Sequence, residues 1–297
     1  MAAPTATIAP TVETRASRGL WGDALRRLVR NKPALLGLFF IIVFVFAAVF
    51  ATVLAPYGPL EGTLADRLQP PSSEHIMGTD SQGRDEYSRV LYGAQVSLVA
   101  GVASVIMGVA IGGAIGAAAG GIGGKVDSVL MRVVDVMLAV PGILLAIGIV
   151  AWLDRGLPQI MFAVAVVNVP IFARILRGSL LSLRESDYVT ASRALGAPGS
   201  RLLMRHMLPN SLTPLIVAAT LALATAIIDV AGLGFLGLGP PDPRTPEWGT
   251  MLTESTKFLR EAPYLIFFPG IAIVVSAIGF NLLGDGLRES LDPRLKR

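Results

Sequence analysis

Residues 90–124 read VLYGAQVSLVAGVASVIMGVAIGGAIGAAAGGIGG, 35 positions without a formal charge between Arg89 and Lys125. About 20 mostly apolar residues in a helix cross the roughly 30 Å hydrocarbon core of a bilayer, so this stretch is long enough to span one. Gly101, Gly108, Gly112, Gly113, Gly116 and Gly120 recur along it at about one-turn spacing, interleaved with alanine. Lipid tails give helices no hydrophobic reason to associate, and small residues that let backbones approach mark packed faces. The stretch therefore predicts a membrane-crossing helix with one face pressed against a neighbour.

The same pattern repeats on either side. Between Lys32 and Glu61 lie 28 uncharged residues, and runs 136–153, 156–173, 206–228 and 262–284 hold 18, 18, 23 and 23. We place six transmembrane helices near 34–55, 94–119, 133–152, 157–177, 209–231 and 263–284. The fold class expected is an all-α polytopic membrane protein. Of the 297 residues, 53% are hydrophobic and 15% charged, whereas soluble domains carry about a quarter charged. A water-soluble enzyme, a disordered chain and, with no cysteine, a secreted disulfide scaffold are excluded.

A polar leader, 1–33, precedes the first span and is too long for the charged region of a signal peptide, so that span is read as retained. With both termini cytoplasmic, 18 basic residues fall inside and 7 outside, the latter being Arg67, Arg84, Arg89, Arg155, Arg244, Lys257 and Arg260. This asymmetry sets the expected orientation. It also accounts for the net charge of +4 without a nucleic-acid partner. The units read from the sequence are the leader, 34–92 with the first span and an external loop, a transmembrane domain 93–284, and a tail 285–297.

Two loops exceed ordinary connectors. One runs outside from Pro56 to Tyr92. The other, cytoplasmic, covers 178–208 and contains DYVTASRALGAPGSRLLMRHMLP at 187–209. Ser186 can cap a helix with Asp187 in its first turn, Gly196 is a natural stop, and Ser200 can start a second short helix ending at Leu208. The small side chains of Ala191, Ser192 and Ala194 suit docking into a groove of another protein.

This loop resembles the EAA loop of ABC-importer permeases, E-A-A-x3-G-x9-I-x-L-P. Thr190, Ala191 and Ser192 stand at the E-A-A positions, with Thr190 in place of the acid. Gly196 matches the glycine, His206 stands at the isoleucine, and Leu208 and Pro209 match the closing pair. The segment His75–Asp85, HIMGTDSQGRD, is similar to the H-x-L/M-G-T-D-x-x-G-R-D signature of dipeptide and oligopeptide permeases. So are Leu233–Gly239 with Pro240, Pro241, Trp248, Gly249, Met251 and Leu252, and the tail Phe280–Arg288 with Leu291–Arg294. The resemblance, from about residue 25 onward, is to the second ("C") permease subunit of a peptide importer.

Such a resemblance implies the type I ABC importer fold, with helices two to six as the transport core, in a bacterial plasma membrane. It implies a coupling helix fitted to an ATPase cleft and formed by Asp187, Tyr188, Thr190, Ala191, Ser192, Arg193, Ala194, Leu195, Gly196 and Ala197, with Pro209 beyond. The partners implied are a second homologous permease, two cytoplasmic ATP-binding subunits and an external substrate-binding protein. ATP and Mg would be bound by those partners, with no cofactor in this chain. Related permeases move nickel chelates or haem, which stay open as substrates.

Chemistry of its own is not written in the chain. Gly124-Lys125 lacks both the first glycine and the Ser/Thr of a phosphate loop, having Ala119 and Val126 there. His75 and His206 fall on opposite sides of the membrane in this topology and cannot share a metal. A secondary transporter would show ion-coupling acids in several spans, and only Asp229 is available. Asp229, near the outer end of the fifth span, is a candidate for the translocation pathway, or else a hydrated interfacial acid. Asn168 beside Pro170 marks a possible kink and second pathway position, and Arg132 and Asp135 are spaced to pair on one helix face.

Overall fold

A computed structural model describes residues 20–242 and 244–291. Within them the architecture is all-helical, with only two isolated bridges, Gly62 to Arg84 and Thr79 to Asp85. The order is α1 (Leu20–Leu28), α2 (Lys32–Val49), α3 (Ala51–Leu54), α4 (Glu86–Ile122), α5 (Gly124–Ala139), α6 (Gly142–Leu153), α7 (Leu157–Arg184), α8 (Asp187–Ala194) and α9 (Gly199–Arg201). A π-helical segment Leu202–Met207 leads into α10 (Leu208–Leu233), and a second one follows, Gly234–Leu238. Then come α11 (Trp248–Ser255) and α12 (Tyr264–Leu291).

Five of these helical stretches are long and apolar enough to cross a membrane, and α5 and α6 taken together are apolar enough for a sixth but are bent by 94° at the break between them. The predicted third span, 133–152, is therefore broken. Pro141 disfavours helical geometry in the residue before it, and Val140 is extended at φ −94°, ψ 130°. The first span also breaks, at Phe50, between α2 and α3. The helices α4 and α7 reach beyond the spans expected at 94–119 and 157–177, and α7 absorbs the first turns of the cytoplasmic loop.

The glycines of α4 do what their spacing predicted. Gly108, Gly112, Gly116 and Gly120 all face α7, and Gly101 faces Ile227 of α10. A Cβ at Gly112 would lie 2.5 Å from Val169 O, and one at Gly116 would lie 2.5 Å from Ala173 O. Backbone meets backbone at every fourth residue of both helices. The same device joins α2 to α12, where a Cβ at Gly37 would lie 2.6 Å from Gly279 O. Around the α4–α7 seam, Val105, Phe172, Leu176, Val230 and Leu233 form a buried core.

Asp135 does not pair with Arg132. It binds Arg174 of α7 at 2.5 Å, while Asp127 holds Arg177 through two bonds of 2.6 and 2.7 Å. Sequence spacing identifies only neighbours on one helix, and here α7 supplies the guanidinium groups instead. Both bridges tie α5 to α7, below the bend.

Between α10 and α12 the short α11 is wedged into the bundle. Its Trp248 is fully buried, donates from Nε1 to Val90 O at 3.1 Å and meets Phe44 edge-on at 5.7 Å. A side chain at Gly249 would overlap Ala231 O. Glu247 caps this helix, accepting from Gly249 N at 2.8 Å, Thr250 N at 2.9 Å and Thr250 Oγ1 at 3.0 Å. Burial pushes its carboxyl above the usual carboxylate range, against the pull of those hydrogen bonds.

Two outcomes are expected of thermal melts in detergent. Gly116→Ala forces a methyl onto a backbone carbonyl and costs about 1–3 kcal/mol, the usual toll of overpacking. Gly178→Ala, a helical site with nothing near its missing Cβ, is neutral or gains up to about 1 kcal/mol from helix propensity. For Glu247 the raised pKa means its contribution is fullest below the unfolded value of about 4.5 and is lost as pH rises through the folded value. The melting temperature of Glu247→Gln, measured relative to the unsubstituted protein, should therefore climb as pH is raised from 4 to 8; a flat difference would contradict this.

Candidate functional site

Two ends of the bundle carry the polar chemistry. At one end, residues 56–85 fold into a cap over α4, α11 and α12. Gly83, at φ +77°, lies so close to Thr63 O that any side chain would overlap it. Asp85 is the N-cap of α4, its Oδ2 accepting from Ser88 N at 2.8 Å and Ser88 Oγ at 2.7 Å. Its Oδ1 lies 2.9 Å from His75 Nδ1. Asp80 accepts from Arg84 N at 2.9 Å and Arg84 Nε at 2.6 Å. Tyr264, opening α12, donates to Gln69 O at 2.7 Å.

From α11 Glu254 completes the cluster. Its Oε2 accepts from Arg84 Nη2 and from Arg89 Nη2, each at 3.1 Å. Asp80, Arg84, Asp85, Glu86 and Arg89 are all buried. Charges taken out of water in this way demand partners, and removal of one partner from a buried pair costs about 3–5 kcal/mol. The signature segment His75–Asp85 is thus a clamp that fastens the loop 56–85 to the near ends of three helices. Sequence reading matched the segment to a family but missed this role. The signal was the crowding of five charges within 80–89 at a helix start, with their partner far away at position 254.

At the opposite end of the bundle the residues of the second long loop gather around α8. Gly196 stops the helix in the left-handed region at φ +83°. Ser186 occupies the N-cap position, yet its hydroxyl turns back to Leu183 O at 2.5 Å. No separate second helix is present. The segment after the turn passes from α9 through the π-helical Leu202–Met207 straight into α10, so Pro209 sits in the first turn of a span. Val189 is fully buried and anchors α8. Tyr188 OH lies 3.4 Å from His206 O. Asp187, Thr190, Ala191, Arg193 and Ala194 are exposed, Ser192 and Ala197 half-buried. Leu195 is 90% exposed.

The two pathway candidates lie apart. Asn168 is buried between α4 and α7, against Gly108, and donates to Val164 O at 2.8 Å. The helix runs through Pro170 unbroken. Asp229 is half-buried on α10. Among the described residues no cluster of three or more metal-ligating side chains occurs.

Comparison with known proteins agrees with this geometry. Residues 110–297 match the family model described as binding-protein-dependent transport system inner membrane component, and residues 19–71 match the N-terminal TM domain of oligopeptide transport permease C. The dipeptide transport system permease protein DppC of Alkalihalophilus pseudofirmus is 44% identical over 276 residues, 93% of this chain and 90% of that protein. The glutathione transport system permease protein GsiD of Escherichia coli O157:H7 is 44% identical over 288 residues, 97% and 95% of the two chains. Among solved structures, a chain of the inward-facing MetNI methionine ABC transporter superposes with a TM-score of 0.58 at 21% identity, covering 69% of this chain and 96% of that one. The chain belongs to the family of binding-protein-dependent transport system inner membrane components: it is a multi-pass inner-membrane permease subunit of an ABC importer, working with ATPase and substrate-binding partners that it does not itself replace.

Proposed function

We propose that this chain forms one half of the translocation pathway of an importer of dipeptides and other short peptides, and that α8 transmits the work of ATP hydrolysis to the spans. Both termini and α8 lie in the cytoplasm in this reading, in keeping with the 18 basic residues against 7. A second homologous permease supplies the other half. Two cytoplasmic subunits bind ATP and Mg, and an external binding protein delivers the peptide. The peptide substrate rests on the 44% identity with dipeptide and glutathione permeases.

The observation that carries the coupling assignment is the contrast between two residues six apart. Val189 is completely buried and fixes α8 to its own subunit, whereas Leu195 projects at 90% exposure from the tip of the same loop. Burying a leucine stabilises an assembly by about 1.5–3 kcal/mol, and here that gain is left for a docking partner. The α8 loop joins α7 on one side and α10 on the other, so closure of the ATPase subunits on it moves both spans as rigid bodies. Asp229 remains the pathway candidate. Asn168, turned into the α4–α7 seam, suits packing.

Leu195→Glu tests this directly. A fully exposed position tolerates the change, so the amount of chain inserted in the membrane should stay constant. Peptide uptake and peptide-stimulated ATP hydrolysis in the assembled transporter should each fall at least tenfold. Uptake at the unsubstituted rate would remove α8 from the coupling role.

A further inference from the structure

Beside the external clamp the protein holds a cavity of about 480 Å³, within the range of small-molecule sites, roughly 300–1,000 Å³. One wall is the glycine-rich turn that ends α10, through Gly234 and Gly239, and another is α11, through Thr253 and Glu254. Arg155, from the turn between α6 and α7, and Lys257, just after α11, also line it. Its walls are built rather than loose. Thr253 Oγ1 donates to Phe235 O at 2.7 Å, which braces the turn against α11.

The charges around this space are compensated only in part. Both hydrogen bonds found for Glu254 fall on Oε2, from Arg84 and Arg89, so among the described residues Oε1 has no partner. Arg155 and Lys257 are exposed, and among the described residues neither forms an ion pair. One carboxylate oxygen and two cations thus border a single cavity, with Phe258 as an apolar wall. A ligand that satisfies all of them carries a positive and a negative end and an apolar body between.

We propose that this cavity is an external transit site for a zwitterionic short peptide, with the ammonium group accepted by Glu254 and the carboxylate held between Arg155 and Lys257. The proposal rests on the peptide-import reading and adds to it a place where the permease itself touches the cargo. Asp229 lies five residues before Gly234 on α10, about 7.5 Å deeper along the helix at 1.5 Å per residue. It offers the ammonium group a second acceptor on the way inward.

The test uses the assembled transporter purified without its binding protein and a photoreactive dipeptide, alanyl-(4-benzoyl)phenylalanine, with adducts located by mass spectrometry. Adducts are expected within 234–241 or 250–258. Alanyl-phenylalanine should displace the probe at least fivefold better than its C-terminal amide does. The double variant Arg155→Gln, Lys257→Gln should lower labelling at least fivefold and erase that preference. Adducts elsewhere, none at all, or labelling indifferent to the double variant would overturn the assignment. Import of alanyl-phenylalanine by the complete unsubstituted system is measured in parallel. Import without adducts sinks the cavity assignment alone, while absence of import removes the peptide reading and the transit site with it.

Discussion

The backbones of α4 and α7 touch, and most of the architecture hangs on that contact. In a bilayer no hydrophobic gain draws two apolar helices together, and close packing has to hold them. Four glycines at intervals of four, Gly108 to Gly120, clear a groove along α4 into which the α7 backbone settles. At 37 residues α4 is much longer than a bilayer requires. Its first turns carry the ionic clamp, and its last lie beside the α8 loop, where Gly120 and Gly121 border a cavity of about 260 Å³ with Arg193 and Leu203. Anything fastened to α4 outside and to α7 inside is referred to one rigid pair.

How much of this the sequence disclosed depends on whether the decisive interaction was local. The glycine face of α4 was legible because every participant lies on one helix at one spacing. Gly196 was legible as a stop because the left-handed conformation is a property of one residue. The break at Pro141 was hidden by a run, 136–153, whose hydropathy has magnitude but no direction, although the proline itself stood in plain view. Asp135 found Arg174 and not Arg132 because an ion pair between helices depends on their packing. The partnership of Arg84 with Glu254 spans 170 residues and exists only once α11 has returned to the outer surface.

The two ends of the bundle treat polar and apolar groups in opposite ways. At the end where α4 begins, Asp80, Arg84 and Arg89 are withdrawn from solvent and held to one another and to the partly exposed Glu254 of α11. At the opposite end, the α8 loop keeps its charges in water and exposes an apolar side chain, Leu195, beyond a buried anchor. A buried ionic clamp resists displacement, because moving one member strands another in a medium of low dielectric constant. An exposed leucine on a short anchored helix does the reverse and leaves a contact open for another surface. One end is built as a fixed frame and the other, in the coupling role proposed for α8, as a handle.

The passage that runs helically from Gly199 to Leu236 and kinks at Gly237 (φ +78°, ψ 17°) gives that handle its reach. The 38 residues of 199–236, at 1.5 Å each, make a helix of about 57 Å. One end emerges from the turn after α8, and the other forms a wall of the external cavity. At each end the rod is wound as a π-helix, a rarer and locally adjustable geometry common at functional positions. A pushrod of this kind needs no chain of side-chain rearrangements to carry news across the membrane. In the coupling role proposed for α8, a tilt at the joint with its loop reaches the cavity end through the stiffness of the helix itself.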